Sequence, residues 1–102
     1  MIEITKEQLE TMINNKESFI VDFYANWCGK CQSVEAWVQK HKEKYEFSLP
    51  LYKINLNSDP SVREDFNIVH LPTIVVFKDG KEFKRSDAVS TIRILNEYIV
   101  KE

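Results

Sequence analysis

The sequence predicts an α/β fold: a mixed sheet with helices on both faces. Three observations predict it. "SFIVDFYA" at 18–25 and "LYKINLN" at 51–57 are nearly continuous in apolar residues, as strands buried on both faces are. Stretches of helical periodicity alternate with them. Asp79-Gly80 separates two further strand-like segments, a hairpin signal that brings in an antiparallel component.

The elements follow in order. Residues 2–4 read as a short edge strand. Thr5 can cap a helix running to about Asn14, with Gln8 three positions on as its capping-box partner. After the first buried strand, a long helix is expected from about Cys28 to Tyr45. Its Val34, Trp37, Val38, His41 and Tyr45 share one face at helical spacing. The second buried strand ends near Asn57. Asp59-Pro60 reads as a cap followed by a favoured first-turn proline, opening a short helix to about Phe66. "TIVVFK" and "KEFKRS" form the hairpin, and "TIRILNEYIV" closes the chain as an amphipathic helix.

The length of 102 residues is that of one domain, 1–102, with enough chain for a core without staples. There is no repeat, low-complexity tract or linker. A net charge of −2 does not mark nucleic acid or an anionic membrane as partner. No apolar run approaches the ~20 residues of a membrane span. "MIEITKEQLE" lacks a basic start followed by an apolar stretch, so no secretory signal is expected. Two cysteines are too few for a disulfide scaffold, and a reducing cytoplasm is the simplest home for them.

Both cysteines lie in "NWCGKCQS", three positions apart. Residues so spaced on a helix face each other at about 5–6 Å between Cβ atoms, and a small rotation reaches disulfide distance. Cys28 follows a buried strand and opens a helix, where unpaired N–H groups and the positive end of the dipole favour a thiolate. Cys31, one turn in, is expected to be more buried and less acidic. Cys28 is then the attacking thiol and Cys31 the resolving one. Two plainer readings remain at this point: two inert core thiols, or half of a zinc site. Zinc usually needs four ligands, and only His41 and His70 are on offer. His41 lies about three helical turns beyond Cys28, too far to share its ion. No metal and no cofactor are expected.

"VDFYANWCGKC" resembles the active-site signature of thioredoxins, V-D-F-W-A-x-W-C-G-P-C, and "LPTIVVFKDGK" resembles the family's second block. The interval between the blocks and the order of elements also fit, so the resemblance covers nearly the whole chain. It implies a three-layer α/β/α sandwich with a central mixed five-stranded sheet and four helices. It implies thiol–disulfide exchange on disulfide-containing protein substrates by a monomer, recharged by a separate reductase of the thioredoxin-reductase type. An alternative keeps the fold but uses the groove beside Pro72 only to hold a partner. Glutaredoxins are a weaker match, since this chain has an extra N-terminal strand and helix and a tryptophan directly before its CxxC.

The resemblance also assigns site residues. Asp22, interrupting the most apolar strand, matches a carboxyl buried beneath the dithiol. Desolvation there raises its pKa and suits it to take the proton of Cys31. Lys53 matches a lysine that approaches this aspartate. Leu71 precedes Pro72 through an expected cis bond, leaving its backbone free to pair with an extended substrate. Trp27 is expected as a partly exposed wall of the same groove, with His70 nearby on a solvated loop. Gly29 and Lys30 fill the two positions between the cysteines.

Three departures stand out. Lys30 replaces the signature's proline and adds a cation near Cys28, which favours the reduced form modestly because water and salt screen it. Lys30→Pro is therefore expected to lower the reduction potential, with about 30 mV corresponding to roughly 1.4 kcal/mol. Equilibration with glutathione reads this, and an unchanged or higher potential rejects it. Ala36 replaces a helix-kinking proline, so a straighter helix is expected, with Trp37 and His41 at the core margin. The family's glycine before the last helix has no clear counterpart near Asp87-Ala88.

Overall fold

The computed structural model describes residues 1–86 and 90–100; Asp87 and Ala88 lie outside the described residues. The chain opens with β1 (Ile2–Glu3) and α1 (Lys6–Asn14). Thr5 Oγ1 accepts the Gln8 N–H at 3.1 Å, and Gln8 Oε1 accepts the Thr5 N–H at 2.8 Å, so the expected capping box is present. Next come β2 (Phe19–Tyr24), α2 (Gly29–Lys42), β3 (Glu46–Phe47), β4 (Leu51–Asn55) and α3 (Ser61–Asp65). The last elements are β5 (Thr73–Lys78), β6 (Lys81–Arg85), α4 (Thr91–Glu97) and β7 (Ile99–Val100).

The main sheet has five strands in the order β1-β4-β2-β5-β6. β1, β4 and β2 run parallel, while β5 and β6 are antiparallel additions. Strand alternation divides the core. Phe19, Val21, Phe23, Ile54, Val75 and Phe77 pack with Leu9 of α1 and Val62 of α3. Ile20, Leu51, Ile74 and Val76 pack on the other face with Val34 and Val38 of α2 and Ile94 and Leu95 of α4. The same alternation sends Asp22 and Lys53 to the α2 side, and they are neighbours in register.

Several boundaries differ from the sequence expectation. α2 stops at Lys42, not Tyr45: the N–H groups of Lys44 and Tyr45 both return to the His41 carbonyl in a turn. Tyr45 is 40% exposed and so leaves the core face. The final helix ends at Glu97, because Ile99 and Val100 pair with Phe47 and Glu46 in a two-stranded ribbon. Such short pairing leaves no periodic signal. Pro60, not Asp59, is the residue capping α3; the Asp59 carboxylate instead accepts the Ser61 N–H at 3.2 Å. α2 is unbroken through Ala36, and Trp37 and His41 stack at 3.9 Å at the core margin.

Candidate active site

The dithiol sits where β2 hands over to α2. Three asparagines fix that connection. The Asn26 N–H donates to Asn57 Oδ1 at 2.8 Å, Asn55 Nδ2 to Asn26 Oδ1 at 3.0 Å, and the Asn57 N–H to Asn55 Oδ1 at 2.9 Å. The loops leaving two adjacent parallel strands are thus tied together just before Trp27 and Cys28. Sequence reasoning missed this network. Its one signal is the recurrence of asparagine where both strands end.

Cys28 is the N-cap of α2, in extended backbone geometry, and its Sγ accepts the Cys31 N–H at 3.3 Å. The sulfur occupies the place that a serine or aspartate oxygen takes at other helix starts. Both cysteines are free thiols, and exposure is 7% for Cys28 against 3% for Cys31, so Cys28 is the more accessible by a small margin. Burial pushes the Cys31 thiol well up from its ordinary value, and the hydrogen bond with Cys28 adds to this. Lys30 is exposed on the second helical position. A Cβ added at Gly29 meets nothing within 4 Å, so the chain itself makes no steric demand for glycine there.

Asp22 is 1% exposed, and neither carboxyl oxygen has a hydrogen-bond partner among the described residues. Desolvation, reinforced by the Glu35 carboxylate and opposed by Lys53, pushes its pKa up to about 7. Lys53 stands beside Asp22 on the adjacent strand. Although in register with Asp22, its Nζ forms an ion pair with Glu35 Oε1 at 2.8 Å and lies 5.4 Å from the Tyr24 ring centroid. The physical reason is solvation: the Glu35 carboxylate is only part-buried, whereas pairing with Asp22 takes the ammonium out of water. Glu35 was missed in the sequence. Its signal is position i+4 from Cys31, which puts both on one helix face.

On the other side, Trp27 is 71% exposed, more than the partly exposed wall expected of it. With Leu71, Pro60 and Arg63 it lines a groove of about 340 Å³. Leu71 packs against Ala25, Cys28 and Cys31, and the Leu71–Pro72 bond is cis. His70 is exposed, and its carbonyl accepts the Thr73 hydroxyl. His41 is stacked on Trp37 and donates from Nδ1 to the Trp37 carbonyl at 2.8 Å. Among the described residues, no group of three or more His, Cys, Asp or Glu could hold a metal ion.

A cysteine pair at a helix mouth, on a mixed sheet covered by helices on both faces, defines a protein of thiol–disulfide exchange. The family model described as Thioredoxin matches residues 1–101. A thioredoxin of Porphyra purpurea is 37% identical over 97 residues, 88% of each chain. A thioredoxin of Mycoplasma genitalium is 38% identical over 80 residues, 78% of each chain. The solution structure of oxidised thioredoxin from Plasmodium falciparum aligns with a TM-score of 0.77 over 98% of this chain and 99% of that one; at 20% identity this is a likeness of fold.

The chain belongs to the thioredoxin family. It has the thioredoxin fold and is a thiol–disulfide oxidoreductase, a disulfide reductase acting by exchange through a cysteine pair. The partner-holding alternative is not favoured. Family membership implies disulfide-bearing protein substrates and a reductase as partners. No described helix is long and apolar enough to cross a membrane.

Proposed function

We propose that Cys28 attacks, Cys31 resolves and Asp22 moves the proton. The Cys28 thiolate attacks one sulfur of a substrate disulfide, forming a mixed disulfide and releasing the other sulfur as a thiolate. Cys31 then gives its proton to the Asp22 carboxylate, and its sulfur attacks Cys28 Sγ. The bond from Cys28 to the substrate breaks, and its electron pair leaves with the second substrate sulfur. Two electrons have passed to the substrate, and a Cys28–Cys31 disulfide remains for a separate reductase to reduce. The observation that carries this reading is the difference in setting between the two sulfurs. Cys28 caps its helix under the Cys31 N–H, while Cys31 is buried and held protonated, so its attack needs a base.

The extended substrate lies between Trp27 and Leu71, whose backbone it meets as an added strand. The protein acts as a monomer in a reducing cytoplasm. Cys31→Ser tests the assignment. Incubated with a lysate, that variant is expected to accumulate covalent partners linked through Cys28, abolished by the further change Cys28→Ser. Partners retained without a covalent link, or adducts that survive loss of Cys28, reject it.

A further inference from the structure

We propose that Glu35 is a positioning residue that holds Lys53 away from Asp22, leaving the buried carboxyl unpaired and free to exchange a proton with Cys31. This rests on the reading of Asp22 as proton acceptor and names the device that keeps it available. Three observations carry it. Lys53 stands beside Asp22 in register on adjacent strands, the natural placement for an ion pair. Its ammonium is nevertheless bonded to Glu35 Oε1 at 2.8 Å, and both Asp22 oxygens are buried without a partner among the described residues. Glu35 also lines, with Cys31, Gln32, Asn26 and Tyr24, a cavity of about 430 Å³. That volume has room for water, which offers a proton a way out from beside the resolving thiol.

The charged and titratable groups around Asp22 can be named. Glu35 and Cys31 face it from α2, Lys53 from β4, Tyr24 from its own strand, and the Met1 amino group from the chain start. On β5 its register neighbour is the uncharged Ile74. A lysine paired with Asp22 favours the carboxylate, which lowers its appetite for a proton. Glu35 weakens that influence by drawing the ammonium to itself and adds a like charge, so both effects act in one direction.

The test is the titration of Asp22 followed by carboxyl ¹³C NMR in the reduced protein, in the original chain and in Glu35→Gln. Glutamine keeps the shape but not the charge, so Lys53 is released. The Asp22 midpoint is expected to fall by about one pH unit, a roughly tenfold change in carboxylate fraction below it. The acidic limb of the rate of mixed-disulfide resolution shifts with it. In a Lys53→Met background, where no ammonium can be released, Glu35→Gln is expected to move the midpoint by much less. An unmoved midpoint, or an equal shift in both backgrounds, overturns the proposal. The NMR titration needs no turnover. A protein that fails to exchange disulfides therefore refutes the functional reading while still judging Glu35.

Discussion

Asp22→Ala is expected to stabilise the protein at pH 8 and to slow its disulfide turnover. The sign follows from the direction of the shift. Asp22 titrates near 3.8 when unperturbed and at about 7 in the fold, so its folded state holds a proton that the unfolded state has lost. Stability is therefore intact below about pH 4 and falls as pH climbs through 7. Above that window the cost is on the order of 4 kcal/mol. Alanine removes it, less about 1 kcal/mol for lost packing. Urea unfolding at pH 8 is expected to show a gain of about 2–3 kcal/mol, and at pH 4 the gain vanishes. Turnover is expected to fall by about 10²-fold, the usual contribution of a positioned proton acceptor. A variant that is less stable at pH 8 and fully active removes Asp22 from the mechanism.

Gly80→Ala is expected to destabilise the fold strongly. Gly80 has φ +77°, and with Asp79 at φ 53° it forms the turn between β5 and β6. A side chain in that region costs about 1–2 kcal/mol on conformation alone. The environment adds more. A Cβ there lies 2.3 Å from the Ile13 carbonyl oxygen and 2.9 Å from Lys16 Cα. Both are backbone atoms, in the last turn of α1 and just beyond it, so no flexible side chain can swing aside. The Gly80 N–H also donates to the Glu17 carbonyl at 2.9 Å, and the Asp79 N–H to Ser18 Oγ at 2.9 Å. Relieving the clash pulls the hairpin off this seat. A loss of about 2–4 kcal/mol is expected by urea or thermal unfolding. A change within about 0.5 kcal/mol means that the hairpin does not depend on this contact.

These two residues differ in how much the sequence says about them. Gly80 is legible as a hairpin glycine, because Asp-Gly between apolar runs serves turns of positive φ. That its Cβ is forbidden by α1 is not legible, since the residues concerned are more than sixty positions apart. Asp22 is conspicuous as a charge within an apolar strand. Its isolation is not, because that depends on which neighbour claims Lys53.

The elements divide in the same way. α1 with its capping box, β2, β4 and the β5–β6 hairpin follow from local pattern, since a cap, a period or a turn lies within a few residues. The β3–β7 ribbon comes from pairing between segments about fifty residues apart. The asparagine network and the Glu35–Lys53 pair are likewise contacts between separate elements.

By itself, the sequence determined the α/β class, the order of most elements and a reactive cysteine pair at the start of a helix. Each of these is written in spacing and hydrophobic period, which act between near neighbours along the chain. Only the tertiary structure decided which charges share the ground beneath the sulfurs. Burial and the choice of ion-pair partner arise when distant segments meet, and those two effects set where a proton can rest.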